Sequence, residues 1–216
     1  MLRVCYRMAF MFFALVLTSG CALHRAVQPR EKTQEGERYE NKQFGFSFAI
    51  PEGWKRISNE TLKQFAIQAS TEVFGQSQEL KEAIESSLPA IEKGFGIEYA
   101  PEQLSDPDVA LFLFVSDNLN GIESIQTAAD YLRHTKKLLQ TSTKIPFKFD
   151  EKLHSQLLGG EKFDVMGVTM HTPDGIIYEN YYVRIIDHHA LVFITIYGEN
   201  SELYRAETVL HSILFK

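Results

Sequence analysis

Cysteine is almost missing from these 216 residues, with only Cys5 and Cys21 present. No disulfide framework can be built from them, so a packed core must hold whatever the chain folds into. Positive charge is short as well, at 22 Lys and Arg against 28 Asp and Glu. That balance excludes the basic face on which nucleic-acid recognition depends. No apolar run reaches the roughly 20 residues of a membrane-spanning helix. The stretch from Met8 to Leu17 stops after ten. Also missing are the Gly-x-Ser-x-Gly elbow, the His-Glu-x-x-His pair and the Rossmann glycines, and Gly159-Gly160-Glu161-Lys162 lacks P-loop spacing. An enzyme is not expected, nor is a cofactor.

What is present begins with an address. Arg3 and Arg7 precede the apolar run, and small residues follow it, which is the build of a secretory signal. Leu15-Val16-Leu17-Thr18-Ser19-Gly20-Cys21 further resembles the lipobox of bacterial lipoproteins. In that family the cysteine sulfur receives a diacylglycerol, the signal is cut just before it, and the new amino terminus is usually acylated. The family prefers Leu three places before the cysteine, where this chain has Thr18 preceded by Leu17. Thr18-Ser19-Gly20 would also suit an ordinary signal peptidase. Cys21 stands at the acceptor position, and the mature chain offers no second thiol to pair with it.

The resemblance implies a signal at residues 1–20, lipidation at Cys21 and membrane attachment through two or more acyl chains, which hold a protein stably where one does not. It places the protein in the cell envelope. Because Ala22 rather than Asp follows Cys21, an outer-membrane position facing the periplasm is expected in a Gram-negative cell. Removing residues 1–20 takes away Arg3 and Arg7 and no acidic residue, so the formal charge moves from -6 to -8.

Residues 21–42 are polar, mixed in charge and poor in anything to bury. They read as a flexible tether with a reach of about 25 Å. At Gln43 the pattern changes. Phe44, Phe46, Phe48 and Ile50 alternate with small or polar residues, putting one apolar face on a strand, and Pro51-Glu52-Gly53 turns the chain before Trp54 and Ile57. The phrase Phe46-Ser47-Phe48-Ala49-Ile50-Pro51-Glu52-Gly53-Trp54 resembles the opening of PsbP-like domains, which share an α/β/α sandwich with a Ran-binding nuclear import factor. The resemblance implies one domain over 43–216, of α+β class, with an antiparallel β-sheet flanked by helices. PsbP assists the water-oxidising complex of photosystem II, but no residue here allows that task to be carried over.

Farther on, Ser58 or Asn59 can cap a helix from Glu60 to about Ser70, and a second helix fits Ser77 to Glu92. Gly94-Phe95-Gly96 and Ala100 to Asp108 read as loop. Val109 to Val115 is a nearly continuous apolar run and reads as a central strand. Ser124 can cap a helix reaching about Gln140. Ile145 to Phe149 and His154 to Leu158 are short strands. Phe163 to Met170 and Ile176 to Ile186 flank Thr172-Pro173-Asp174-Gly175 as a hairpin, and Asp187-His188-His189 leads into a third strand from Ala190 to Tyr197. A closing helix capped by Asn200 or Ser201 presents Leu203, Ala206, Val209, Leu210 and Ile213.

Few residues suggest chemistry. Glu79, Glu82 and Glu85 read as a solvated helix face. Asp187-His188-His189 matches a phosphoesterase signature by letters only, and reads as a turn. Tyr178, Tyr181, Tyr182 and Arg184 form an aromatic and cationic interaction patch if one face of their strand is open, although packing under a helix competes for some of them. The function expected is a lipid-anchored envelope protein with a non-catalytic PsbP-like binding or accessory domain and a protein partner. The alternative is a periplasmic carrier that takes a small apolar ligand between sheet and helices, near Phe112, Phe114 and Phe193.

Overall fold

The computed structural model describes residues 37–64, 67, 94–99, 110–140, 146–172, 175–198 and 203–216. The signal, most of the tether, the expected helix over Ser77 to Glu92 and the loop over Ala100 to Asp108 lie outside the described residues.

The chain folds around one strand, β5 (Ala110–Asn118), whose apolar run fills the interior of an eight-stranded sheet. On one side of β5 lie β4 (Phe95–Tyr99) and then β3 (Trp54–Ile57) at the edge. On the other side come β10 (His189–Gly198), β9 (Gly175–Ile186) and β8 (Glu161–Thr172). β6 (Phe147–Phe149) and β7 (His154–Leu158) both pair with β8. Every ladder in this sheet is antiparallel. β1 (Arg38–Asn41), β2 (Phe46–Ala49) and β11 (Leu214–Phe215) form a second, three-stranded sheet.

Strand alternation divides the core in two. Leu111, Leu113 and Val115 of β5, with Val192, Ile194 and Ile196 of β10, point to one face, where helix α1 (Ala128–Leu139) lays down Tyr131, Leu132 and Leu139. Phe112 and Phe114, with Leu191 and Phe193, point to the other. There the small sheet contributes Phe46 and Phe48, and helix α2 (Leu203–His211) contributes Ala206, Val209 and Leu210. Helices thus lie on opposite faces of the large sheet. The fold is α+β, an antiparallel sheet flanked by helices.

Four features depart from the expected elements. β1 lies inside the stretch read as tether. Only Tyr39 in it is apolar, and its pairing with β2 together with the Tyr39 ring, 4.1 Å from that of Phe95, docks it. Gly94-Phe95-Gly96 is not a loop, because Phe95 and Gly96 belong to β4. Its glycine is there for space: a Cβ on Gly96 would stand 2.9 Å from side-chain carbons of both Leu113 and Leu62. α1 starts later than expected. Its N-cap is Thr127, whose side chain accepts from the Asp130 amide while Asp130 accepts from the Thr127 amide. Finally β11, two residues long, is too short to carry a pattern.

The remaining elements match as far as they are described, residues 65, 66 and 68–70 of the first expected helix and the cap positions Asn200 and Ser201 of the last lying outside the described residues. Ser58 caps the helical segment 59–64, accepting the Thr61 amide at 3.1 Å. Trp54 is buried at the sheet edge. The hairpin of β8 and β9 forms, with Pro173 and Asp174 of its turn outside the described residues. Asp187 and His188 make the β9 to β10 turn at φ of 46° and 59°, left-handed values that Asp and His tolerate better than most side chains.

The far edge of the large sheet is broken on purpose. β6 pairs with Val168 to Met170, and β7 with Glu161 to Val165. Between them Asp150 donates its amide to Gly167 O and accepts the Gly167 amide on Oδ2, both at 3.0 Å. A side chain replaces the missing rung, so no buried amide of β8 is orphaned there.

Candidate functional site

The four residues expected to form one patch are divided by β9. Tyr181 points to the α1 face and is fully buried, whereas Tyr178, Tyr182 and Arg184 fall on the opposite face. Period two forbids neighbouring tyrosines from sharing a surface. Tyr182 is 5% exposed and packs in the aromatic core. Arg184 is committed to Glu161 at 2.8 Å and lies 5.5 Å over the Phe215 ring. Tyr178 and Arg184 stay half-open, and Tyr178 is the aromatic one.

Tyr178 has a partner that the sequence did not suggest. Register pairs it with Tyr197 of β10, and the two rings stack at 5.3 Å with 20° between planes. Asn180 donates to the Tyr197 hydroxyl at 3.3 Å. Partial burial raises the pKa of Tyr197, and the hydrogen bond from Asn180 opposes the shift. Glu207 of α2, together with Tyr178 and Asp150, pushes it the same way as burial. The result is a shelf of two tyrosines and an amide with an acidic rim. It offers flat apolar area with polar tips.

A second cluster lies hidden on the α1 face. Glu179 shares the phase of Ile177, Tyr181 and Val183, and Asp117 shares that of Leu113 and Val115, so alternation carries both carboxyl groups inward. Tyr181 donates its hydroxyl to Glu179 Oε2 at 2.5 Å, and Tyr131 from α1 donates to Asp117. The Thr135 hydroxyl turns back to the Tyr131 carbonyl at 2.8 Å. Glu179 Oε1 has no hydrogen-bond partner among the described residues. Burial pushes Glu179 up to about 8 and Asp117 up to about 6, with the tyrosine hydrogen bond opposing each shift. Both tyrosines are raised well above their ordinary value, Tyr131 and Tyr181 alike, by burial and by the adjoining carboxyl group. They remain donors at any working pH.

Among the described residues no group of three His, Cys, Asp or Glu could hold a metal ion. His154, His171, His188 and His211 are exposed and scattered, and His134 is half-buried, with burial and then Lys137 lowering its pKa. Glu79, Glu82 and Glu85 lie outside the described residues, as does Cys21. Phe112, Phe114 and Phe193, expected around any carried ligand, are buried against one another and against Phe46 and Phe48, with centroid distances of 4.9 to 5.8 Å. The aromatic side chains occupy that space themselves. Among the described residues no helix is long and apolar enough to cross a membrane.

No family model and no curated protein matches the sequence. Similarity appears among solved structures. The chain is similar to the cyanobacterial PsbP (CyanoP) of Synechocystis, at 14% identity over 83% of this chain and 92% of that one, TM-score 0.49. It is similar to LpqN of Mycobacterium tuberculosis, a protein involved in cell envelope biogenesis, at 13% identity over 88% and 92% of the two chains, TM-score 0.49. Yeast Mog1p, a Ran-binding protein, is similar at 8% identity over 85% and 96%, TM-score 0.43. Against a structure from Bacteroides thetaiotaomicron the chain spans about half, 49%, of the other's length.

Proposed function

We propose that this is a lipid-anchored cell-envelope protein whose α+β domain is a non-catalytic binding or accessory module for a protein partner. The reading rests on the half-open pair Tyr178 and Tyr197, bonded to Asn180 and bordered by Glu207 and Asp150. Stacked aromatics with polar tips supply large contact area at small entropic cost, and the acidic border favours a basic segment of the partner. The carboxyl groups that could have served as acid or base are sealed under α1 instead of opening into a cleft. The periplasmic-carrier alternative is disfavoured where its ligand was expected, since Phe112, Phe114 and Phe193 pack on each other. Lipid on Cys21 would place this module at the membrane, on the outer membrane facing the periplasm in a Gram-negative cell, with the tether giving it reach.

Two measurements on the full chain in cells test the reading. A photo-crosslinking amino acid at position 178 should form a protein adduct that the same probe at the exposed Glu123 does not form, and Tyr197→Ala should reduce it. Equal labelling from both positions would overturn the shelf as a contact surface. Cys21→Ser should release the domain from membranes and slow its gel mobility by leaving the signal uncut. Unchanged retention and processing would remove the lipid.

A further inference from the structure

Independently of that reading, we propose that the seat of α1 on the large sheet is a proton-operated latch, in which Glu179 holds a proton while α1 is docked and surrenders it when α1 lifts. Glu179 and Asp117 are both sealed beneath the helix, 1% and 4% exposed, and among the described residues neither meets a cation. In the sheet Glu179 is flanked by Val168 of β8 and Ile196 of β10, neither titratable. From β9 itself comes Tyr181, from β5 comes Asp117, and from α1 comes Tyr131, whose ring senses Tyr181 as well. β6 brings Phe147 and Phe149 to the same core, not charge. The cations of α1 stand outside it: Lys136 lies over the Phe149 ring at 5.0 Å, and Lys137 bears on His134.

A carboxylate in such a place is shut off from bulk solvent and accepts one hydroxyl on one oxygen, an arrangement that penalises its charge heavily. Lifting α1 rehydrates it and lets it ionise at its ordinary acidity. The sign follows. The docked form binds the extra proton between the free value of 4.5 and the docked value of about 8, so docking is strongest in acid and weakens as pH rises through that interval. Asp117 adds the same sign between 3.8 and about 6. His134, lowered by burial, pulls the other way below its free value of 6.5.

Hydrogen-exchange protection of the full chain, corrected for intrinsic rates, tests the latch. Between about pH 6 and about pH 8 the opening constant of α1 amides should rise by up to about tenfold per unit, while β10 stays better protected throughout. Glu179→Gln, which mimics the protonated acid, should flatten that slope. A flat wild-type profile, a slope that persists in Glu179→Gln, or α1 and β10 opening only together would each overturn the proposal. If the variant does not fold, the wild-type infrared spectrum decides. A carboxylic-acid carbonyl band must be present near pH 6 and fade on titration to about pH 9, and its absence near pH 6 overturns the latch.

Discussion

The Tyr131 hydroxyl donates to Asp117, and the helix residue and the strand residue are both sealed from solvent. This is the side-chain bond by which α1 grips the end of β5. Tyr131→Phe keeps the ring and deletes the donor, leaving Asp117 Oδ2 without its tyrosine. A loss of about 1 to 3 kcal/mol in urea unfolding is expected. Because that bond opposes the upward shift of Asp117, its removal should also move the acid's midpoint higher, which NMR titration would follow.

The start of α1 depends on Thr127 and Asp130, each accepting the other's amide at 3.1 and 3.0 Å. Thr127→Ala should destabilise by about 1 kcal/mol, read as a lower thermal midpoint. Ser124→Ala, at the position that also looks like a cap, should change little.

The turn between β7 and β8 separates two glycines that the sequence presents as equals. Gly159, at φ +57°, would put a Cβ 2.8 Å from the Ile213 carbonyl oxygen, whereas Gly160, at φ +85°, faces open space. Gly160→Ala should cost about 1 to 2 kcal/mol from left-handed strain alone. Gly159→Ala must also displace the backbone leading into β11, and its unfolding midpoint should fall farther.

Phe193 is the hub of the aromatic core, with ring centroids of Phe46, Phe112, Phe114 and Phe163 between 5.1 and 5.8 Å away. Phe193→Ala should cost about 3 to 5 kcal/mol in urea unfolding, and a collapse of the rings into the vacancy would bring it to the lower end.

The β8, β9, β10 series was legible because long period-two patterns were punctuated by Pro-Asp-Gly and Asp-His turns, and β5 because apolar residues fill both of its faces. β1 was not. An Arg-Tyr-Glu-Asn segment becomes a strand only when β2 offers it a backbone. Gly94 and Gly96 looked like a loop since glycine marks both freedom and close approach, and only the leucines beside Gly96 tell which. For α1, Asp130 three residues after Thr127 was a readable capping box. Of the clusters, Glu179 and Asp117 left a signal in their phase, each in step with an apolar row. The pairing of Tyr178 with Tyr197 left none, because it is a matter of register between strands.

The carboxyl of Asp150 in place of a backbone rung has a consequence for life in a crowd. Each outer margin of the large sheet is short, four residues in β3 and three and five in β6 and β7, and the second is interrupted where Asp150 meets Gly167. A neighbouring copy finds no unbroken ribbon to zip onto. Copies of the domain held at high concentration would thus jostle without polymerising.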